Sequence, residues 1–290
     1  MSQRAAGSRL ALPFPGRTQR VLPGFGLSLG ISLTFVSLVL LLPLTGLVGQ
    51  LAGLSLGEYW AIISEARVVA SYLITLGAAA VAALVNAAFG LLLAWVLVRY
   101  DFPGKRALDA LMDLPFALPT AVAGITLATL YSSNGWMGQA LAPLGLEVAY
   151  TWVGIALAMA FTSIPFVVRT VQPILEDLPH EIDEAAMTLG ARDGVAFRRV
   201  ILPHLWPALV TGTGLAFVRS LGEFGAVIFI AGNMPYETEI TSLMIFVKLQ
   251  EYDYVGASAI ASVVLATSLA LLLAINLWQG RFIRRLHGGN

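Results

Sequence analysis

Apolar residues gather in six long blocks, near 27–49, 71–98, 114–131, 150–171, 208–231 and 255–278, with short polar segments between them. A helix needs about 20 apolar residues to cross roughly 30 Å of hydrocarbon, and each block reaches or nearly reaches that length. In a bilayer every backbone polar group must be satisfied within its own segment. Continuous blocks of this kind therefore predict helices rather than strands. The expected fold class is an all-α membrane protein with six transmembrane helices.

The polar positions orient these helices. Arg4, Arg9, Arg17 and Arg20 precede the first block; Arg99, Lys105 and Arg106 follow the second. Arg169, Arg192, Arg198 and Arg199 end or follow the fourth, and Arg281, Arg284 and Arg285 follow the sixth. The alternate loops hold only Arg67 and Lys248, a division of 14 against two, with Arg219 left inside a block. The positive-inside rule then places both termini, and the loops at 99–113 and 172–207, in the cytoplasm. An even number of spans follows from the same alternation. The first block, about 23 residues, is longer than the roughly 7–15 of a signal-peptide core, so it is read as an uncleaved span behind a cytoplasmic tail, 1–26.

Composition agrees. Hydrophobic residues make up 58% of the 290 positions and charged residues 12%, about half the charge of a soluble domain, so lipid is the expected solvent. Lys+Arg and Asp+Glu are each 17, a balance that suggests no nucleic-acid partner. The chain has no cysteine, which excludes disulfides, a thiol nucleophile and Cys-based metal sites. His180, His204 and His287 lie far apart and are read as polar residues near the membrane surface. No catalytic residue, metal ligand or cofactor-binding residue is expected, and no cluster of Asp, His or Ser at a common depth suggests an enzyme.

Within the spans, small residues crowd the second block (Gly77, Ala78, Ala79, Ala80, Ala82, Ala83, Ala87 and Ala88), permitting close helix approach, and Asn86 among them suits an interhelical hydrogen bond. Pro115, Pro119 and Pro165 predict kinks or broken turns. Arg219 and Glu223 are the only opposite charges inside one block, four residues apart on a shared helix face. Such groups face the protein interior or a wet cavity. They fit either an internal ion pair or a translocation path in which Arg219 attracts an anion and Glu223 orients it.

The loop 172–207 has its own pattern. Pro179 suits a first helical turn, and Glu181, Asp183 and Glu184 lie where the helix dipole favours negative charge. Ile182, Ala185, Ala186 and Leu189 form one apolar stripe, and Gly190 is placed to end the helix in a left-handed turn. Asp193 can cap a second short helix that stops before Pro203. A short rigid helix–turn–helix on the cytoplasmic face fits either a partner protein's docking site or a connector packed on the spans.

The order Glu184-Ala185-Ala186, three residues to Gly190, then nine to Val200-Ile201-Leu202-Pro203 resembles the EAA loop of ATP-binding-cassette (ABC) importer permeases. Val200 stands where that family has Ile. The resemblance implies a type I ABC importer permease fold: a peripheral first helix, 27–49, and a transmembrane domain, 66–279, with a coupling loop at 172–207. It implies that Glu184, Ala185, Ala186, Gly190, Leu202 and Pro203 couple to an ATPase. The chain lacks a G-x-x-x-x-G-K-[ST] phosphate loop, so ATP would be hydrolysed by a separate subunit and this chain would bind no cofactor.

Further segments, Leu93–Lys105, Asp113–Gly124, Ser220–Gly225, Phe229–Pro235 and Tyr252–Tyr254, are similar to sulfate/thiosulfate permeases, over about Ser71 to Trp278. The implied partners are a second homologous permease, two ATPase subunits, a periplasmic sulfate-binding protein and the lipid bilayer, in the inner membrane of a bacterium. Related molybdate or tungstate permeases look alike over Leu221–Gly225. A channel or an ion-coupled secondary transporter, the rivals of another class, would place ionisable ligand sites near the midplane and would leave the loop at 181–203 unexplained. The outward loop 232–254 carries Glu237, Glu239, Glu251 and Asp253 against Lys248, poor ground for a dianion, so selectivity is expected in the binding protein.

Overall fold

The computed structural model describes residues 24–179 and 181–287. His180 and the arginines of the N-terminal tail lie outside them. The described residues are helical, with no strand among them. Five helices are long and apolar enough to cross a membrane: α1 (Phe25–Leu51), α3 (Ala66–Arg99), α7 (Trp152–Glu176), α9 (Asp193–Leu221) and the Tyr254–Gly280 stretch of α11 (Tyr254–His287). Between them lie α2 (Leu56–Ile63), α4 (Lys105–Met112), α5 (Thr120–Tyr131), α6 (Trp136–Leu141), α8 (Glu181–Thr188) and α10 (Thr241–Gln250).

The chain divides into two units, 1–49 and 50–290. The described part of the first is α1, apolar on every side. In the second, α3, α7 and α9 pack on one another. One half of their core centres on Ile155, Met159, Ile230 and Ile240, the other on Val167, Val168, Leu175 and Leu205. The small residues of α3 are used as expected: Ala78, Ala79, Ala82 and Ala83 are buried. Asn86 Nδ2 donates to the Ala160 carbonyl and to Ser163 Oγ, both at 2.9 Å, joining α3 to α7.

The expected third span, 114–131, is not one helix. A single turn, Leu114–Ala117, is followed by extended Leu118 (φ −84, ψ 135) and Pro119, and α5 begins at Thr120. Pro119 disfavours helical backbone at Leu118 and has no amide hydrogen to donate, so the break expected at the prolines falls there. The 12 residues of α5 rise only about 18 Å, less than a bilayer's width.

Two boundaries of the fifth element also differ from the apolar pattern. The expected span, 208–231, and the separate short helix before Pro203 are replaced by one helix from Asp193 to Leu221. A five-residue π turn, Phe197–Ile201, interrupts it. Proline clashes with the carbonyl four residues earlier, and for Pro203 that is Arg199, inside the wide turn. Widening moves the carbonyl aside and lets the helix continue. The same arrangement recurs in α1, where Ser37–Leu41 is a π turn and Pro43 follows. Arg192 takes the N-cap position of α9 and Asp193 lies in its first turn. The apolar residues beyond Leu221 form a loop and one turn, Val227–Ile230, packed on α5 with Val227 and Ile230 buried.

Candidate functional site

The predicted site residues fall in two places. The first is α8 and its exit. Gly190 has φ +84; its amide donates to Met187 O at 2.9 Å and that of Ala191 to Ala186 O at 3.0 Å. These two bonds are the Schellman termination that a left-handed glycine permits. The apolar stripe is divided in use. Ile182 packs with Leu108, Met112 and Phe197 against the Val167/Leu205 core, and Ala186 is buried. Ala185 is exposed and Leu189, where the helix has already ended, is 88% exposed.

Glu184, Ala185, Thr188, Leu189 and Gly190 thus form a rigid exposed surface anchored from behind by Ile182 and Ala186. Leu202 is half-buried and Pro203 exposed, just past the π turn of α9. These two sit on a different element from Glu184–Gly190.

The second place is the end of α9. Arg219 Nη1 donates to Glu223 Oε2 at 2.7 Å, and the Ala226 amide donates to Glu223 Oε1 at 3.0 Å. The Ser242 hydroxyl donates to the Glu223 carbonyl at 2.9 Å. Glu223 is 2% exposed, whereas the Arg219 side chain is 34% exposed. The carboxylate therefore holds the loop after Leu221 in shape from within, while the guanidinium keeps a face toward open space.

That loop lies backbone to backbone on the start of α5. A Cβ at Gly225 would fall 2.1 Å from Thr120 Oγ1, and one at Gly124 would fall 2.3 Å from the Ala226 carbonyl oxygen. Only glycine allows both approaches. The segment at 220–225 and the Pro119 break, far apart in sequence, form one junction of irregular backbone. Such backbone is tolerated at membrane depth where protein buries it or a cavity borders it.

Two further ion-pair groups have no local signature. Arg67 meets Glu239 as a fork, Nη2–Oε1 at 2.7 Å and Nε–Oε2 at 2.8 Å, across 172 positions. Glu239 thus has its own cation, and Lys248 lies 3.3 Å from Asp253. The acids of loop 232–254 thus meet more than the single lysine of their own segment. Arg169 binds Asp109, Asp113 and Gln172. Arg169 holds the Asp113 carboxyl below its usual range through hydrogen bonding. Among the described residues no group of His, Asp and Glu could hold a metal ion.

The fold is that of type I ABC importer permeases. It aligns with a bacterial ABC transporter involved in the import of the acidic polysaccharide alginate, with a TM-score of 0.70 at 20% identity over 88% of this chain and 94% of the other. With the bacterial alginate ABC transporter solved in complex with an alginate pentasaccharide-bound periplasmic protein, the TM-score is 0.73 at 18% identity, over 89% and 94%. Residues 86–288 match the family described as the binding-protein-dependent transport system inner membrane component, and the chain belongs to that family.

Its sequence is 64% identical over 271 residues to the sulfate transport system permease protein CysT of Salmonella typhimurium, covering 93% of this chain and 98% of the relative. Identity to CysT of Escherichia coli is 64% over 275 residues, covering 95% and 99%. Identity to CysT of Synechococcus elongatus is 47% over 251 residues, covering 86% and 90%.

Proposed function

We propose that this chain is the permease subunit of an ATP-driven importer that carries sulfate, and thiosulfate with it, across the inner membrane of a bacterium. The observation that carries this reading is the 64% identity to sulfate transport permeases over nearly their whole length. The chain changes no bond in its substrate and binds no cofactor. A second related permease completes the pathway, two ATPase subunits hydrolyse ATP, and a periplasmic binding protein delivers the anion. Both termini are cytoplasmic, a reading supported by the 14-to-two division of basic residues.

Glu184, Ala185 and Gly190 lie on the surface that an ATPase cleft receives, with Ala186 anchoring it from behind and Leu202 and Pro203 just past the π turn inside α9. What supports this is a capped helix whose outer surface is exposed and whose inner surface is anchored in the core. Movement of such a helix is passed to the spans rather than absorbed by a loose loop. At the other place, Arg219 attracts the dianion and Glu223 fixes the guanidinium, a reading supported by the buried carboxylate and the partly open arginine.

The test is uptake of labelled sulfate by cells that lack their own importer and express this chain with its partners. Thiosulfate should compete, and molybdate should not. Glu184→Lys and Gly190→Asp should abolish uptake and weaken ATPase co-purification while the permease still reaches the membrane. Uptake of molybdate in place of sulfate would move the chain to the related oxyanion class. Single cysteines settle orientation: Arg192→Cys should resist an impermeant thiol reagent in sealed cells and Glu237→Cys should react. Glu237 is preferred to Glu239, whose carboxylate is buried on Arg67.

A further inference from the structure

One guanidinium, that of Arg169 on α7, makes five hydrogen bonds to side chains and backbone. Nη1 donates to Asp109 Oδ1 at 2.6 Å and to Gln172 Oε1 at 2.8 Å. Nη2 donates to the Asp109 carbonyl at 2.9 Å and to Asp113 Oδ2 at 2.6 Å, and Nε to Asp113 Oδ1 at 2.9 Å. Just beyond, the rings of Phe116 and Phe166 meet edge to face at 5.5 Å, and Pro115 is buried. Segment 105–117 is thus strapped along α7 by a fork of charge-assisted bonds and an aromatic contact.

The two ends of the strapped segment reach the two places described above. At one end Leu108 and Met112 pack against the same Val167/Leu205 core on which Ile182 of α8 is anchored. At the other, after the hinge at Leu118 and Pro119, Thr120 and Gly124 touch Gly225 and Ala226 with no room for even a methyl group. A contact of that closeness transmits displacement, because packed protein has no slack to absorb it.

We infer that Arg169 is a positioning residue for transport, tying segment 105–117 to α7 so that movement of α8 reaches the loop holding Arg219 and Glu223. Without the strap, α8 and α7 still move, but segment 105–117 can slip along α7, and α5 and the 222–226 loop follow only through the packing of α5 and the Val227–Ile230 turn on α7. The inference rests on the functional reading above, and it assigns a role to residues that touch neither the ATPase surface nor the Arg219 pair.

The experiment uses the complete complex in proteoliposomes with its binding protein, and reads sulfate moved per ATP hydrolysed. Asp109→Ala/Asp113→Ala removes both carboxylates and the side-chain acceptors they offer; the aspartate side chains are 41% and 51% exposed, so water takes their place at the guanidinium. We expect assembly and basal ATP hydrolysis to change by less than about twofold, and sulfate per ATP to fall about tenfold, within the usual range of coupling between sites. Arg169→Lys, which keeps the charge and loses the fork, should fall between wild type and the double variant.

A wild-type ratio in the double variant would overturn the inference. So would failure of both variants to assemble, since the strap would then be a folding element. Failure of the unmutated complex to move sulfate would instead strike the functional reading, and it is seen separately in that control.

Discussion

Arg219 and Arg169 bind carboxylates at nearly the same distances, 2.7 Å and 2.6 Å, yet the two arrangements differ in what their loss would cost. Glu223 has both oxygens engaged and almost no solvent. Removing its partner leaves a charge with nothing to replace it. Asp109 and Asp113 are more than a third exposed, so water substitutes for the arginine at little cost. Where the carboxylate is buried the pair is a constraint on folding; where it is open to water the pair can be a coupling that comes and goes. Burial of the anion, rather than bond length, separates the two.

The largest effect is expected from Arg219→Ala. It leaves the Glu223 carboxylate, 2% exposed, without its cation, and breaking a buried pair from one side costs about 3–5 kcal/mol. Yield and thermal stability of the purified complex should fall sharply. Wild-type stability in this variant would erase the contrast between the two arginines.

A smaller loss is expected from Arg219→Gln/Glu223→Gln, which leaves no unpaired charge and keeps an acceptor for the Ala226 amide. Replacing both members of a buried pair is often near neutral, so the double variant should assemble. Labelled sulfate uptake then sharpens the comparison: we expect it to be lost, and full uptake would reduce the pair to structure alone.

The exposed arrangement should reveal itself in acid. The Asp113 pKa is lowered by its hydrogen bond to Arg169. A depressed carboxylate contributes stability that is present above its unfolded value, about 3.9, and is lost as pH falls through the folded value. The difference in unfolding temperature between wild type and Asp113→Asn should be steady near neutral pH and close below about pH 4. A difference that persisted in strong acid would mean the contact does not depend on ionisation.

The smallest effect belongs to Asp101→Asn. Asp101 pairs with Lys105 at 2.9 Å while 98% exposed, and its lowered pKa comes from that bond. Exposed pairs contribute little, so unfolding temperature and uptake should be unchanged. A clear loss would show that exposure is the wrong measure.

Much of helix α8 and its termination is legible in the sequence because its determinants are local. Pro179, the acids that follow, the apolar spacing and Gly190 act within one or two turns, and a left-handed glycine ends a helix wherever it occurs. Spacing shows that Ile182, Ala185, Ala186 and Leu189 share a face, not how much of that face the core covers. Arg219 and Glu223 were found for the same local reason, being four apart. Arg67 with Glu239 and Arg169 with Asp109 were not, because pairs 172 and 60 positions apart leave no mark in a window of sequence.

By itself the sequence determined the lipid solvent, the helical class, the alternation of basic loops and the position of the capped helix α8. Each follows from composition or from contacts within a few residues. Only the tertiary structure decided that block 114–131 is broken at Leu118, that α9 runs from Asp193 through Pro203, and that the chain after Leu221 turns inward instead of continuing as a span. An apolar residue is equally content facing lipid or packed in a protein core. Hydropathy therefore cannot tell a membrane-crossing helix from a buried turn. That choice was made by Glu223 holding the Ala226 amide and by two glycines that let α5 and the 222–226 loop touch.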